Sequence, residues 1–170
     1  PHQRAALYHE MGVPTTCLVY AEQLHGKEMS FNNFLDTDSA WSLAGEFGRP
    51  AAVMIKHNNP CGVAVDDSLA EAWRKAYACD EVSAFGSVMA FNRPVDGETA
   101  SLIGSIFVEV VIAPAFDEEA LRLLKQKEDI RLLRLPLEAK PRPSRKDFKR
   151  VDGGLLVQDF DAGEDDLSEV

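Results

Sequence analysis

The chain has 170 residues, of which 45% are hydrophobic and 27% charged, enough apolar material for one globular domain with a core. Its 18 Lys and Arg against 28 Asp and Glu give a formal charge of -10. This excludes a general nucleic-acid or anionic-membrane binder, which needs a basic face, and leaves room for a small phosphorylated ligand held by a few local cations.

The start, PHQRAALYHE, has no charged segment leading into an apolar signal region, and no run in the chain approaches the ~18 apolar residues of a membrane span. Without an initiator methionine it reads as the opening of an excised piece of a longer polypeptide. Residues Thr16–Tyr20 predict a short strand, and AEQLHGKEMSFNN after them reads as a polar loop around Gly26. A helix is expected over Asp36–Phe47, with Asp36 or Asp38 near its cap and Trp41 and Leu43 turned to the core. Gly48 and Pro50 stop it. The run AAVMI, residues 51–55, has the continuous apolar character of a strand covered on both faces, and a turn through Asn58, Asn59 and Pro60 follows. Ser68 and Glu71 form a capping-box signature ahead of a helix with Leu69, Trp73 and Tyr77 at i, i+4 and i+8, which ends near Cys79 and Asp80.

Ser87–Phe91 predicts a second core strand, residues 97–106 another helix, and VEVVIAPAF a third strand ending on Pro114. DEEALRLLKQKE begins with acids and ends with lysines, as the helix dipole favours, with Leu121, Leu123 and Leu124 to bury, and DIRLLRLP is a fourth strand. Alternating strands and helices imply an α/β fold, three layers deep (α/β/α), with a largely parallel sheet. That body occupies residues 1–137. Residues 138–170 form a basic, proline-containing linker through Arg150, an apolar piece GLLVQDF and an acidic, solvated tail.

The chemistry-bearing stretch is VMIKHNNPCG, where an apolar run stops at Lys56 and His57. Ligands in open α/β sheets bind beyond the carboxyl ends of strands, which places this pair at a candidate site. Successive strand residues point to opposite faces, so both side chains serve one site only if the backbone leaves strand geometry here. A neighbouring ammonium favours neutral imidazole, the form that accepts a proton near neutral pH, while the lysine stabilises an oxyanion. A zinc reading compares His57 and Pro60-Cys61 with the H-x-E and P-C-x-x-C signature of zinc deaminases, but Asn59 stands where the glutamate belongs and Ala64 where the second cysteine belongs. One thiolate and one imidazole are too few ligands, so no metal is expected unless Cys79 or Cys17 converges. The three cysteines, Cys17, Cys61 and Cys79, form no CxxC pair and read as reduced thiols in a cytoplasmic protein. The phrase DEVSAFGS (residues 80–87) offers small residues and a glycine for close approach to a ligand, or is a plain helix-to-strand connection. GKEMSFNN offers side-chain amides, or is a polar surface loop.

Taken together, QLHGKEMSFNN, IKHNNPCGVAV, CDEVSAFGSVMAFNRPV and VDGGLLVQD resemble, in order along nearly the whole chain, the AICAR transformylase domain of the bifunctional purine-biosynthesis enzyme that also carries IMP cyclohydrolase, in its bacterial form. PHQRAALY resembles the remainder of the family phrase RYGxNPHQ. The resemblance implies transfer of a formyl group from the co-substrate 10-formyltetrahydrofolate to the amino group of AICAR, with His57 as proton acceptor and Lys56 as transition-state stabiliser and no metal required. It implies AICAR contacts from Asn33 and from Ser83, Phe85, Gly86 and Ser87. Ser87 departs from the acid that some members carry at that place. The implied fold is a cytidine-deaminase-like subdomain, which accounts for the deaminase look of HNNPCG without zinc. The resemblance further implies a homodimeric parent, a cyclohydrolase domain before this piece and a second subdomain after it, so that the piece alone is expected to be inactive. The alternative is a non-catalytic interaction module on the same scaffold, which predicts no AICAR binding even with the second subdomain restored.

Overall fold

The computed structural model describes residues 21–135 and 146–159. The chain divides into two units: one spans Tyr20–Leu137, and the other contains residues 146–159. In the first unit β1 (Glu22–His25), α1 (Phe31–Ala44), β2 (Ala51–Lys56), β3 (Asn59–Val65), α2 (Leu69–Cys79) and α3 (Glu81–Ala84) follow one another, then β4 (Ser87–Phe91), α4 (Gly97–Gly104), β5 (Val108–Ala113), α5 (Glu118–Leu124) and β6 (Arg131–Arg134).

Each of these helices starts on a serine or aspartate, namely Ser30, Ser68, Asp80, Asp96 and Asp117, whose side chain accepts the backbone N–H three residues on. That bond satisfies one of the donors a helix start leaves open. At Ser68 the box is not reciprocal, because the Glu71 carboxylate turns instead to Arg74, which also reaches Glu98 on α4.

The six strands form one mixed sheet in the order β1-β6-β5-β4-β2-β3. β4, β5 and β6 are parallel, whereas β2 is antiparallel to both β3 and β4, and β1 is antiparallel to β6. Parallel pairing is thus confined to three strands, fewer than strand-helix alternation implies, because β2 and β3 are a hairpin with no helix between them. Ala52, Met54, Met89, Phe91, Val111, Ala113 and Leu132 pack with Leu69, Trp73, Ile103 and Leu124 of α2, α4 and α5 in one core. The alternate residues Val53, Ile55, Val88, Ala90, Val110 and Ile112 are equally buried and face the other layer, α1. Both faces of the central strands are covered, which gives the expected three layers and explains their unbroken apolar runs.

Several expectations are corrected. The polar phrase 21–33 is not one loop: it holds β1 and the first turn of α1. Helix α1 begins at Phe31 and not Asp36, because Ser30 and Asn33 form a reciprocal capping box. Its buried side is Asn33, Thr37, Ala40 and Ala44, while Trp41 and Leu43 are half-buried. Asn59-Pro60-Cys61-Gly62 is the start of β3 and not part of a turn; as an edge strand it tolerates the missing N–H of Pro60. The strand expected at Thr16–Tyr20 lies outside the described residues.

In the second unit β7 (Lys146–Val151) and β8 (Gly154–Asp159) form an antiparallel hairpin, all of it exposed. The basic linker expected through Arg150 therefore ends earlier, since Lys146–Arg150 belong to β7. The cause is Asp152-Gly153, a two-residue turn with Gly153 at φ 76° that folds GLLVQD back on it. The acidic tail lies outside the described residues.

Candidate active site

The end of β2 is shaped by its pairing with β3. Met54 pairs with Gly62, Ile55 with Pro60 and Lys56 with Asn59, so the register shifts by one residue around Cys61 and only His57 and Asn58 remain as the loop. Both have positive φ, 53° and 63°. A two-residue loop with both residues left-handed matches the twist of its strands, but its usual sequence ends in glycine. A residue with a Cβ held left-handed costs roughly 1–2 kcal/mol, less for Asn and His than for most. Here, then, is the departure from strand geometry that the Lys56-His57 pair requires.

Side chains of α1 hold this loop. Asp36 Oδ1 on α1 accepts the Asn58 N–H at 2.7 Å, and Ser39 Oγ donates to Asn58 Oδ1 at 2.5 Å. A bond to a charged acceptor contributes about 1.5–3 kcal/mol when shielded and less at an exposed site, enough to offset about one strained residue. On the other side Lys56 Nζ donates to the Phe85 carbonyl at 2.8 Å. The His57 ring is exposed and makes no hydrogen bond to the described residues, which leaves both nitrogens to a ligand.

The Lys56 contact brings the second phrase to the first. Asp80 caps the short α3 by accepting the Ser83 N–H at 2.9 Å, and hydrogen bonding from Ser83 holds the Asp80 carboxyl below its ordinary value, with the Lys56 charge a smaller contribution. Phe85 is 59% exposed, its ring 5.5 Å from that of Phe107. Gly86 has φ 74°, and its N–H donates to Phe107 O at 2.8 Å, a conformation that favours glycine. Ser87 is 1% exposed, and its hydroxyl has no partner among the described residues. Beside Phe85 a pocket of about 500 Å³ is lined by Ile103, Phe107, Gln126, Asp129 and Ile130.

The placement rule is corrected in one respect. Lys56 and His57 do follow the carboxyl end of β2, but β2 is antiparallel to β4, so they lie at the amino end of the parallel strands. The hairpin turn builds one side of the site, and the end of the β3-to-β4 connection through α2 and α3 supplies the other. Asn33 stands on the helix that holds the loop, but its Oδ1 accepts from both the N–H and the hydroxyl of Ser30, at 3.1 and 2.9 Å, leaving its amide NH2 for a ligand. Cys61 Sγ donates to Met54 O at 3.4 Å, and burial pushes its thiol pKa up. No three His, Cys, Asp or Glu side chains converge as metal ligands among the described residues, and no described helix is long and apolar enough to cross a membrane. Sequence reasoning missed the clamps Asp36 and Ser39, and the cap Asp80. Asp80 carried a signal, an aspartate three residues before Ser83; Asp36 was read as a cap for its own helix.

A family model described as AICARFT/IMPCHase bienzyme matches residues 1–170. Curated proteins named bifunctional purine biosynthesis protein PurH are similar throughout: that of Caldicellulosiruptor saccharolyticus is 51% identical over 95% of this chain, and that of Ruminiclostridium cellulolyticum 48% identical over 95%. The PurH protein of Bacillus cereus is 48% identical over 95% of the chain. The chain spans about a third of these relatives, 31–32% of their length. With a family match over its whole length, the chain belongs to the AICARFT/IMPCHase bienzyme family.

Proposed function

We propose that this chain carries the proton-transfer half of the formyl-transfer site of an intact enzyme of purine biosynthesis. In that reaction the AICAR amine attacks the formyl carbon of 10-formyltetrahydrofolate. His57 takes the amine proton, Lys56 stabilises the oxyanion of the tetrahedral intermediate, and the carbon–N10 bond breaks as N10 is protonated, giving formyl-AICAR and tetrahydrofolate. The amine is conjugated to an electron-poor ring and is a weak nucleophile, so base and oxyanion assistance each matter. The observation that carries the reading is the bond from Lys56 Nζ to Phe85 O, which gathers IKHNNPCG and SAFGS at one place. That bond uses one of three ammonium protons and aims the rest. Asn33, Ser83, Gly86 and Ser87 are proposed to contact AICAR, with Phe85 offering an aromatic face.

Residues 1–137 are proposed as a first transformylase subdomain and residues 138–170 as the connection to a second, in a homodimer acting in the cytoplasm. The test is His57→Ala in the intact protein. Formyl transfer from 10-formyltetrahydrofolate to AICAR should fall by about 10²- to 10⁴-fold with an unchanged circular dichroism spectrum. Retained turnover would show that the base lies elsewhere, and failure of the intact protein to bind AICAR would favour an interaction module.

A further inference from the structure

We propose that Asp36 and Ser39 are positioning residues for His57: two side chains of α1 that hold the left-handed His57-Asn58 loop in the shape that presents the imidazole. Its catalytic consequence rests on the formyl-transfer reading above. The loop sequence does not favour this shape by itself, because glycine occupies neither position although both have positive φ. Support comes from outside the hairpin, at 2.7 Å to the Asn58 N–H and 2.5 Å to its side-chain oxygen. The two supporting residues are three apart on α1 and so share one side of that helix, distinct from the side buried against the sheet.

The capping box makes this use of Asp36 available. Ser30 and Asn33 satisfy the start of α1, so Asp36 sits a turn inside the helix and is not consumed as a cap. Its carboxylate then accepts from a backbone N–H 22 residues away in sequence. Asn58, adjacent to His57, is gripped at both its N–H and its amide oxygen, whereas the His57 ring is left without a bond to described residues. The grip therefore fixes the backbone and leaves the reacting group free. A misplacement of about 1 Å at a reacting group can cost a hundredfold in rate, so a clamp of this kind acts on turnover more than on binding.

The experiment compares Asp36→Ala, Ser39→Ala and the double variant Asp36→Ala/Asn58→Gly in the intact bifunctional protein, with amide hydrogen exchange at Asn58 read in the same proteins. Asp36→Ala should lower kcat for formyl transfer about ten- to a hundredfold with KM for AICAR within about twofold. Ser39→Ala should lower kcat less. In both, the Asn58 amide should exchange faster than in the parent. Adding Asn58→Gly should restore most of the lost kcat, since glycine takes positive φ without help, whereas general destabilisation would not be repaired by a glycine. Unchanged kcat in Asp36→Ala alongside an inactive His57→Ala would overturn the proposal and spare the formyl-transfer reading. No rescue by Asn58→Gly, or an unprotected Asn58 amide in the parent, would overturn it as well. If His57→Ala stays active, the formyl-transfer reading falls, and amide exchange alone decides whether Asp36 holds the loop.

Discussion

The described residues contain two hairpins with two-residue loops, built on different plans. The β7-β8 loop is Asp152-Gly153, with positive φ only at the glycine, and no described side chain clamps it. The β2-β3 loop is His57-Asn58, with positive φ at both residues and hydrogen bonds reaching it from α1. The first is a turn that its own sequence specifies. The second places a reactive side chain where glycine would be easier, and the strain is offset by partners distant in the chain. A hairpin loop can carry chemistry when the surrounding fold, and not the loop's own preference, holds its shape.

The largest expected effect tests how far that support extends along the hairpin. A Cβ on Gly62 in β3 would meet the carbonyl oxygen of Ala76 at 2.1 Å, a backbone atom that cannot move aside, whereas a Cβ on Gly154 in β8 meets nothing within 4 Å. Gly62→Ala should therefore destabilise the six-stranded unit by about 3 kcal/mol or more, and Gly154→Ala should stay within about 0.5 kcal/mol. Thermal melts decide it, and equal effects would remove the distinction between a supported and a free-standing hairpin. Next in size is Gly153→Ala, which forces a Cβ into the left-handed region at φ 76° with open space around it. A loss of about 1 kcal/mol is expected, confined to β7 and β8 and readable by hydrogen exchange.

The smallest effect concerns acid. Asp80 beside Ser83, Asp66 beside Lys75 and Asp129 beside Lys27 are all held below the ordinary aspartate value of 3.8. A carboxyl depressed in the folded state stabilises it above the unfolded value and loses that contribution as pH falls through the folded value. Stability of the six-stranded unit should thus decline below about pH 4, and Asp80→Asn should flatten part of that decline in urea titrations between about pH 5 and pH 3. Asp80 and Asp129 are exposed and Asp66 is half-buried, so the change is small; an Asp80→Asn profile identical to the parent's would show that the Asp80 charge contributes nothing, since asparagine keeps the cap itself.

Much of this was legible in the residues. AAVMI, SVMAF and VEVVIA became strands buried on both faces, and the Ser68 cap was read from a spacing of three. The site was legible only in its phrases. Lys56 and His57 stood out because polar residues interrupted an apolar run, but the strand following them was hidden by Asn-Pro-Cys-Gly, a composition that suits a turn as well as an edge strand. The start of α1 was misplaced because Asn33, an unusual partner for a serine cap, closed the box in place of Glu or Gln.

The sequence by itself determined the α/β class, the Ser68 cap and the phrases that mark the family, because each depends on residues close together in the chain or on the period of an apolar run. Only the tertiary structure decided that β2 lies antiparallel between β3 and β4, that Lys56 meets Phe85 across 29 residues, and that Asp36 meets Asn58 across 22. Those contacts depend on strand order and register. These are settled when the whole sheet buries both faces at once, and no local segment encodes them.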